Sequence, residues 1–245
     1  MFLTNMHKQT TDSIFAGKLL VKQDPHGYRF SIDAILLASH ARPRKNERVL
    51  DLGTGCGIIP LMLAYRQPEI TVFGVEIQAE LARTAMANVK LNHLQHQITV
   101  LCRDLRELKP NSIGGPVDLV VCNPPYHKAQ SGRINPDRQR AIARHELKVD
   151  LDDVLKAAKR MLRTAGRFVT IYTAERVAEL FVQMRSHGIE PKSMRAIHGQ
   201  LTVEAKLILI AGTKGAQPGT RLDPPLIIYG PNGEYTKEVQ AMLMP

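Results

Sequence analysis

Two short stretches of this 245-residue chain carry residue types whose spacing can do chemistry. The first is Asp51-Leu52-Gly53-Thr54-Gly55-Cys56-Gly57. Glycines at alternate positions let a backbone turn tightly and come close to a ligand. Dinucleotide sites space them as G-x-G-x-x-G. Here the position that would complete that pattern is Ile58, and Asp51, just ahead of the loop, would repel a pyrophosphate. An acid there suits a cation instead. Glu76 ends the next apolar segment, where an acid can bind both hydroxyls of a ribose. Asp104, after the third segment, is placed to meet an adenine amino group. Ile77 and Leu105 follow these two acids and, with Gly53, Gly55, Gly57 and Asn123, complete the expected binding set. A ligand with a sulfonium, an ammonium and no phosphate suits all three acids, and S-adenosylmethionine is such a ligand. The alternative reading makes each acid a strand-end cap. Three acids in register favour the cofactor.

The second stretch is Asn123-Pro124-Pro125-Tyr126. Two prolines fix the backbone and remove two amide donors, which leaves carbonyls free to accept. Asn123 adds a side-chain carbonyl. Tyr126 offers a flat face, and stacking a base on such a face contributes about 1–3 kcal/mol. The Asn123 amide oxygen and the Pro124 carbonyl can accept both hydrogens of a planar NH2 group. That aims the nitrogen lone pair at a methyl sulfonium. No strong base is needed, so catalysis is mostly orientation and electrostatics. The bland alternative is a strand-ending turn.

These residues need elements to position them. Apolar runs at Val49–Leu52, Thr71–Ile77, Ile98–Leu101, Leu119–Cys122 and Phe168–Tyr172 read as strands. Between and after them, Ile58–Arg66, Ala79–Leu91, Leu151–Leu162 and Ala174–His187 carry apolar residues at helical spacing. Strand alternating with helix implies a doubly wound α/β sheet of parallel strands. The near-continuous apolar character of the strands agrees, since parallel strands are buried on both faces. Upstream, Leu19–Gln23 and Tyr28–Ser31 flank Asp24-Pro25-His26-Gly27 and read as a turn or hairpin, with Ser31 as N-cap of a helix over Ile32–His40. Downstream, Met194–Ile197 and Val203–Ile210 read as a finishing antiparallel pair, followed by a loosely ordered Pro/Gly-rich tail. The whole is expected to form one domain: an extension over 1–47, a core over 48–212 and a tail over 213–245.

Composition bounds the class of function. A hydrophobic content of 44% excludes a disordered chain. Apolar runs such as Ala34–Ala38 and Leu207–Ala211 fall far short of the roughly 18–20 residues that span a bilayer. The N-terminus has no signal pattern. Cys56, Cys102 and Cys122 are odd in number and widely spaced. They fit no disulfide framework or zinc pattern, so a reducing cytoplasm is expected, and no metal. Thirty-three Lys and Arg against 23 Asp and Glu give +10. Such a surplus suits a polyanionic partner, nucleic acid first, or reflects a basic-leaning proteome. Part of it has a place. Residues 127–148 hold Lys128, Arg133, Arg138, Arg140, Arg144 and Lys148 against Asp137 and Glu146. This stretch would grip phosphates around a target base, or serve as a solvated linker. Lys156, Lys159, Arg160, Arg163 and Arg167 form a second run. It reads as one helix face without a nearby acid, suited equally to phosphate contact and to plain surface.

The glycine loop, the acids and Asn-Pro-Pro-Tyr together resemble the class I S-adenosylmethionine-dependent methyltransferases that act on planar amino nitrogens. The resemblance spans about residues 48–172. It implies a Rossmann-like, seven-stranded sheet, mostly parallel with a C-terminal antiparallel strand. It makes Asn123, Pro124, Pro125 and Tyr126 the catalytic tetrad, with Asp51, Gly53, Gly55, Glu76 and Asp104 holding the cofactor. The flanks narrow the family. Residues 23–38, Gln-Asp-Pro-His-Gly-Tyr-Arg-Phe-Ser-Ile-Asp-Ala-Ile-Leu-Leu-Ala, resemble the N-terminal signature of the bacterial valine-tRNA adenine-37 N(6)-methyltransferases. So do Ala143-Arg144-His145-Glu146, and Pro225-Leu226-Ile227-Ile228-Tyr229 with Tyr235-Thr236. This likeness implies a tRNA substrate and methyl transfer to the exocyclic nitrogen of an adenine beside the anticodon, a loop that already presents unpaired bases. Three other readings stand beside it. A glutamine methyltransferase acting on release factors usually carries a helical N-terminal domain, whereas 50 residues precede Asp51 here. A DNA adenine methyltransferase usually carries a large target-recognition domain. A non-catalytic RNA-binding module would not need an intact Asn123–Tyr126.

Overall fold

The computed structural model of the protein describes residues 10–23, 31–124 and 149–244. A hairpin of β1 (Thr10–Ile14) and β2 (Leu19–Gln23) comes first, then α1 (Ile32–Ala41). The alternating core follows: β3 (Arg48–Leu52), α2 (Ile58–Arg66), β4 (Thr71–Glu76), α3 (Ala79–Leu91), β5 (Ile98–Cys102), β6 (Val117–Cys122), α4 (Leu151–Met161), β7 (Leu162–Thr173) and α5 (Val177–Ser186). Two long strands, β8 (Ile189–His198) and β9 (Ala205–Lys214), precede the two-residue strands β10 (Arg221–Leu222) and β11 (Leu226–Ile227) and the helix α6 (Lys237–Leu243).

The main sheet runs β10-β8-β9-β7-β6-β3-β4-β5, with β11 also on β8. Its seven long strands are β3 to β9, the expected number. β9 is antiparallel to both neighbours, and the other pairings are parallel. From β3 the chain first builds toward β5, then returns to place β6 on the other side of β3. Strand order therefore reverses between β3 and β6. In open α/β sheets the crevice at such a reversal, outside the carboxyl ends of the strands, is where ligands bind.

Alternation along the strands builds two cores. Val49, Val72, Leu119 and Val121 face a layer with the hairpin, α1 and α2. Leu50, Leu52, Phe73, Val75, Val120 and Cys122 face the other side, packed with α4 and α5. Because side chains alternate along a strand, Asp51 shares the face of Val49. Among the described residues no helix is long and apolar enough to cross a membrane.

Three expectations change. The partner of Leu19–Gln23 is Thr10–Ile14, paired from Thr10↔Gln23 to Ile14↔Leu19, and not Tyr28–Ser31. The turn is made at Phe15, Ala16 and Gly17, all at positive φ. The polar run Thr-Thr-Asp-Ser conceals β1, and residues 24–30 lie outside the described segments. Ser31 does stand at the N-cap of α1, but through its carbonyl, which accepts from the Ala34 N–H at 3.2 Å, with no side-chain cap. Finally, the tail is docked. Prolines at 218, 224 and 225 break it into short pieces, yet Leu226 and Val239 are fully buried. Arg195 binds both carboxylate oxygens of Glu238 at 2.7 and 2.8 Å, and Arg66 donates to the Met242 carbonyl. Leu226→Ala is therefore expected to cost about 2–4 kcal/mol in urea unfolding. A loss under about 0.5 kcal/mol, usual for a surface position, would show the tail to be only draped on the core.

Candidate active site

The loop after β3 explains its own glycine spacing. Gly53, Gly55 and Gly57 have φ of 76°, 56° and 86°, a region closed to most side chains. The amides of Gly53 and Thr54 both reach the Val75 carbonyl, at 2.9 and 3.0 Å, and the Gly57 amide donates to the Thr54 carbonyl at 2.9 Å. Gly57 then opens α2. The loop lies so close to β4 that a Cβ at Gly74 would sit 2.9 Å from the Thr54 hydroxyl oxygen. Gly74 was not among the sequence candidates, although a glycine inside a strand signals such a close approach.

Glu76 braces the loop. Its Oε2 accepts from the Gly55 amide and its Oε1 from the Gln78 amide, both at 2.9 Å. A carboxylate has about four acceptor positions, so capacity remains for ligand hydroxyls. Asp51 is different. It is wholly buried, and neither carboxylate oxygen has a hydrogen-bond partner. Burial pushes its pKa up to about 7 and the charge of Glu76 adds to the rise, while the Thr54 hydroxyl pulls it back. A buried carboxyl without a donor, directly beneath an open-backboned loop, is the group a cationic ligand would complete. The donor set thus fits a ligand with an ammonium and a vicinal diol.

Asp104 has its own partner. It caps a short 3-10 turn over Leu105–Glu107, accepting from the Arg106 amide at 2.9 Å and pairing with the Arg106 guanidinium at 2.5 Å. Arg106 holds its carboxyl below the usual range. Leu105 is buried beside it, and Ile77 is half-buried after β4. Asn123 and Pro124 leave β6 where the strand lies against β3, with Cys122 in register with Leu52. Asn123 is half-buried and Pro124 buried. Strand spacing near 4.8 Å therefore sets the start of the Asn-Pro run beside the start of the glycine loop. Pro125, Tyr126, Lys128, Arg133, Arg138, Arg140 and Arg144 lie outside the described residues.

Two cysteines are inert as nucleophiles. Burial raises the Cys56 thiol to about 11 and the Cys122 thiol well above its ordinary value. The second basic run is not a bare helix face. Lys156 pairs with Asp152 at 2.6 Å, and Arg163 and Arg167, which lie on β7, pair with Asp118 and Glu47 at 2.5 Å. Arg160 donates to the carbonyls of Leu105, Arg106 and Leu108. Asp118 and Glu47 come from elements far away in sequence, so spacing did not reveal them. Asp152, by contrast, stands one turn before Lys156 on the same helix and corrects the expectation of a face without a nearby acid. Asn88 of α3, also unread in the sequence, donates to the Cys56 carbonyl at 2.9 Å.

The raised pKa of Asp51 has a sign. Its folded-state value lies above the unfolded value near 4, so the fold favours the protonated form. The stability contributed by that form is lost as pH rises through about 7. Asp51→Asn is expected to raise the melting temperature of the ligand-free protein by about 3 °C or more at pH 8, and by clearly less at pH 5. Equal shifts at the two pH values in thermal melts would contradict the buried-carboxyl assignment.

Comparisons with known proteins agree with this geometry. Residues 29–186 match the methyltransferase small domain family. A Porphyromonas gingivalis protein named tRNA1(Val) (adenine(37)-N6)-methyltransferase is 30% identical over 246 residues, 96% of this chain and 94% of that one. An Aeromonas hydrophila protein of the same name is 28% identical over 217 residues, 88% and 89% of the two chains. Among solved structures, a predicted O-methyltransferase from Agrobacterium tumefaciens superposes with a TM-score of 0.69 at 23% identity, covering 86% of this chain and 94% of that one. M. jannaschii TYW2, solved in complex with AdoMet, gives 0.58 at 16% identity over 87% and 89%. The alternating sheet, the strand-order reversal and the glycine loop over a buried acid are thus those of a class I S-adenosylmethionine-dependent methyltransferase, and the chain belongs to the methyltransferase small domain family.

Proposed function

We propose that this enzyme methylates the exocyclic N6 of an adenine in tRNA, and that adenine-37 of tRNA(Val) is the target. The observation that carries the reading is the adjacency of β3 and β6 at the strand-order reversal. It sets a loop suited to a cationic cofactor beside an Asn-Pro acceptor pair. The names of relatives similar over most of the chain supply the tRNA, the base and the position.

When bound, S-adenosylmethionine supplies an electrophilic methyl group on a sulfonium. The protein's own residues do the rest. Asp51 takes the ammonium, and Glu76 the ribose hydroxyls. Gly53, Gly55 and Gly57 let the backbone come close. Ile77, Leu105 and Asp104 would border the cofactor's adenine ring, with Asp104 still carrying Arg106. The Asn123 amide oxygen and the Pro124 carbonyl accept the two hydrogens of the target amino group, so its lone pair faces the methyl group. Pro125 stiffens that carbonyl, and Tyr126 stacks on the base. The proton is shed after transfer, and no general base is required. Lys128, Arg133, Arg138, Arg140 and Arg144 hold phosphates around the flipped base.

Transfer of tritium from labelled S-adenosylmethionine to total tRNA, DNA and release factor, assayed side by side, tests the substrate class. Label confined to release factor would sink the RNA reading. Nucleoside mass spectrometry of tRNA from a strain lacking the protein then identifies the base. Asn123→Ala should leave cofactor affinity within about threefold of normal while cutting turnover at least 100-fold, about 2.7 kcal/mol of lost orientation; unchanged turnover refutes its role. Arg138→Glu combined with Arg140→Glu should weaken tRNA binding and flatten its salt dependence. Binding curves unchanged at every salt concentration would remove this stretch from the RNA grip.

A further inference from the structure

Strand β2 is paired with β1 along one edge. Its other edge meets a helix. The Lys22 amide donates to Asn88 Oδ1 at 2.8 Å, and the Lys22 carbonyl accepts from Asn88 Nδ2 at 2.9 Å. Leu20 repeats the pattern with Asn92, at 2.9 and 2.7 Å. Residues 88 and 92 are four apart on a helix, a rise of about 6 Å. Residues 20 and 22 are two apart on a strand, a rise of about 6.7 Å. The two spacings nearly match, so two carboxamides keep step with alternate strand residues and stand in for a missing neighbouring strand.

Asn88 does one thing that Asn92 does not. Its amide nitrogen also donates to the carbonyl of Cys56, at 2.9 Å, inside the glycine loop. Asn88 is fully buried, and both of its side-chain polar atoms are engaged. One turn earlier on the same helix, Ala85 lies against the loop so closely that a Cβ at Gly57 would be 3.2 Å from the Ala85 Cβ. Helix α3 therefore holds the loop at two successive residues. On the other flank of Cys56, the Gly55 amide is fixed on Glu76. Losing the Asn88 donor would leave a buried loop carbonyl unsatisfied and free the loop to leave its left-handed conformations.

We infer that Asn88 is a positioning residue for the cofactor: through one carboxamide it ties the Cys56 carbonyl to the backbone of Lys22, so that the glycine loop and the N-terminal hairpin respond to the ligand as one body. The inference rests on the loop being the S-adenosylmethionine site. It makes the hairpin part of the cofactor apparatus, although no hairpin side chain is assigned to the ligand.

Paired variants separate this role from mere support. Asn88→Ala and Asn92→Ala each remove two hydrogen bonds to β2, but only the first releases the loop. By calorimetric titration with S-adenosylmethionine, Asn88→Ala is expected to weaken binding at least tenfold, with kcat at saturating cofactor within threefold of normal. Asn92→Ala is expected to bind within twofold of the unaltered enzyme. The unaltered enzyme offers a second readout that needs no variant to fold. Saturating S-adenosylmethionine should slow hydrogen exchange of the Lys22 amide at least fivefold. Equal affinity losses in both variants, no loss in Asn88→Ala, or a Lys22 amide indifferent to the cofactor would each overturn the role. An unaltered enzyme that bound no S-adenosylmethionine would instead remove the reading on which the inference stands.

Discussion

A carboxylate with no donor sits at the centre of this molecule. Asp51 ends β3 on the same sheet face as Val49, among apolar neighbours, and finds no hydrogen bond for either oxygen. An unpaired buried charge is among the costliest features a core can carry, and the cost shows in the raised pKa of Asp51, which favours the neutral acid. Here the surroundings are arranged around that cost. The loop above it is opened by glycines, and its free amides are directed to Val75 and Glu76 and not to Asp51. The second acid, Glu76, adds to the electrostatic burden. The cost is concentrated at Asp51, directly beside the glycine loop, and a cation bound there would offset it.

The rest of the architecture delivers groups to that point. Reversal of strand order places β6 against β3, so two segments 70 residues apart, Leu52 and Cys122, end side by side. Helix α3 starts directly after Glu76 and returns along the loop, presenting Ala85 and Asn88 from one buried stripe. Lys156 and Arg160 of α4 and Arg163 and Arg167 of β7 are engaged with Asp152, Asp118, Glu47 and backbone carbonyls. Pairing leaves the net charge of +10 unchanged, but it ties these particular cations to the scaffold.

Much of this was legible in the sequence, for reasons that differ by element. Helices α2 and α3 match their expected bounds because each carries apolar residues at helical spacing throughout. Strands β3, β4 and β6 were readable as apolar runs because both of their faces are buried. The first half of β7, which bulges between the Leu162 and Arg167 pairings with β6, was hidden, since Arg163-Thr164-Ala165-Gly166-Arg167 lacks that pattern. Strand β1 was hidden for the same reason. At the site, Asp51, the glycines and Glu76 announce themselves by spacing. Gly74 and Asn88 do not, because their roles come from contacts with Thr54 and Cys56, 20 and 32 residues away. Arg106, two residues from Asp104, was within reach but carried no motif.

The docked tail has a consequence for how the molecule is made. Met242 accepts a hydrogen bond from Arg66, 176 residues earlier, and Glu238 secures Arg195 on the edge strand. Leu226 and Val239 fill the core that α1 and α2 share. A chain emerging from its N-terminus can assemble the β3–β6 crevice long before these residues exist. Until they are made, the β8 edge and the part of α1 that the last helix covers stay open, exposing strand hydrogen-bonding groups of the kind that recruit other chains. Residues 226–242 thus act as a late closure of that edge.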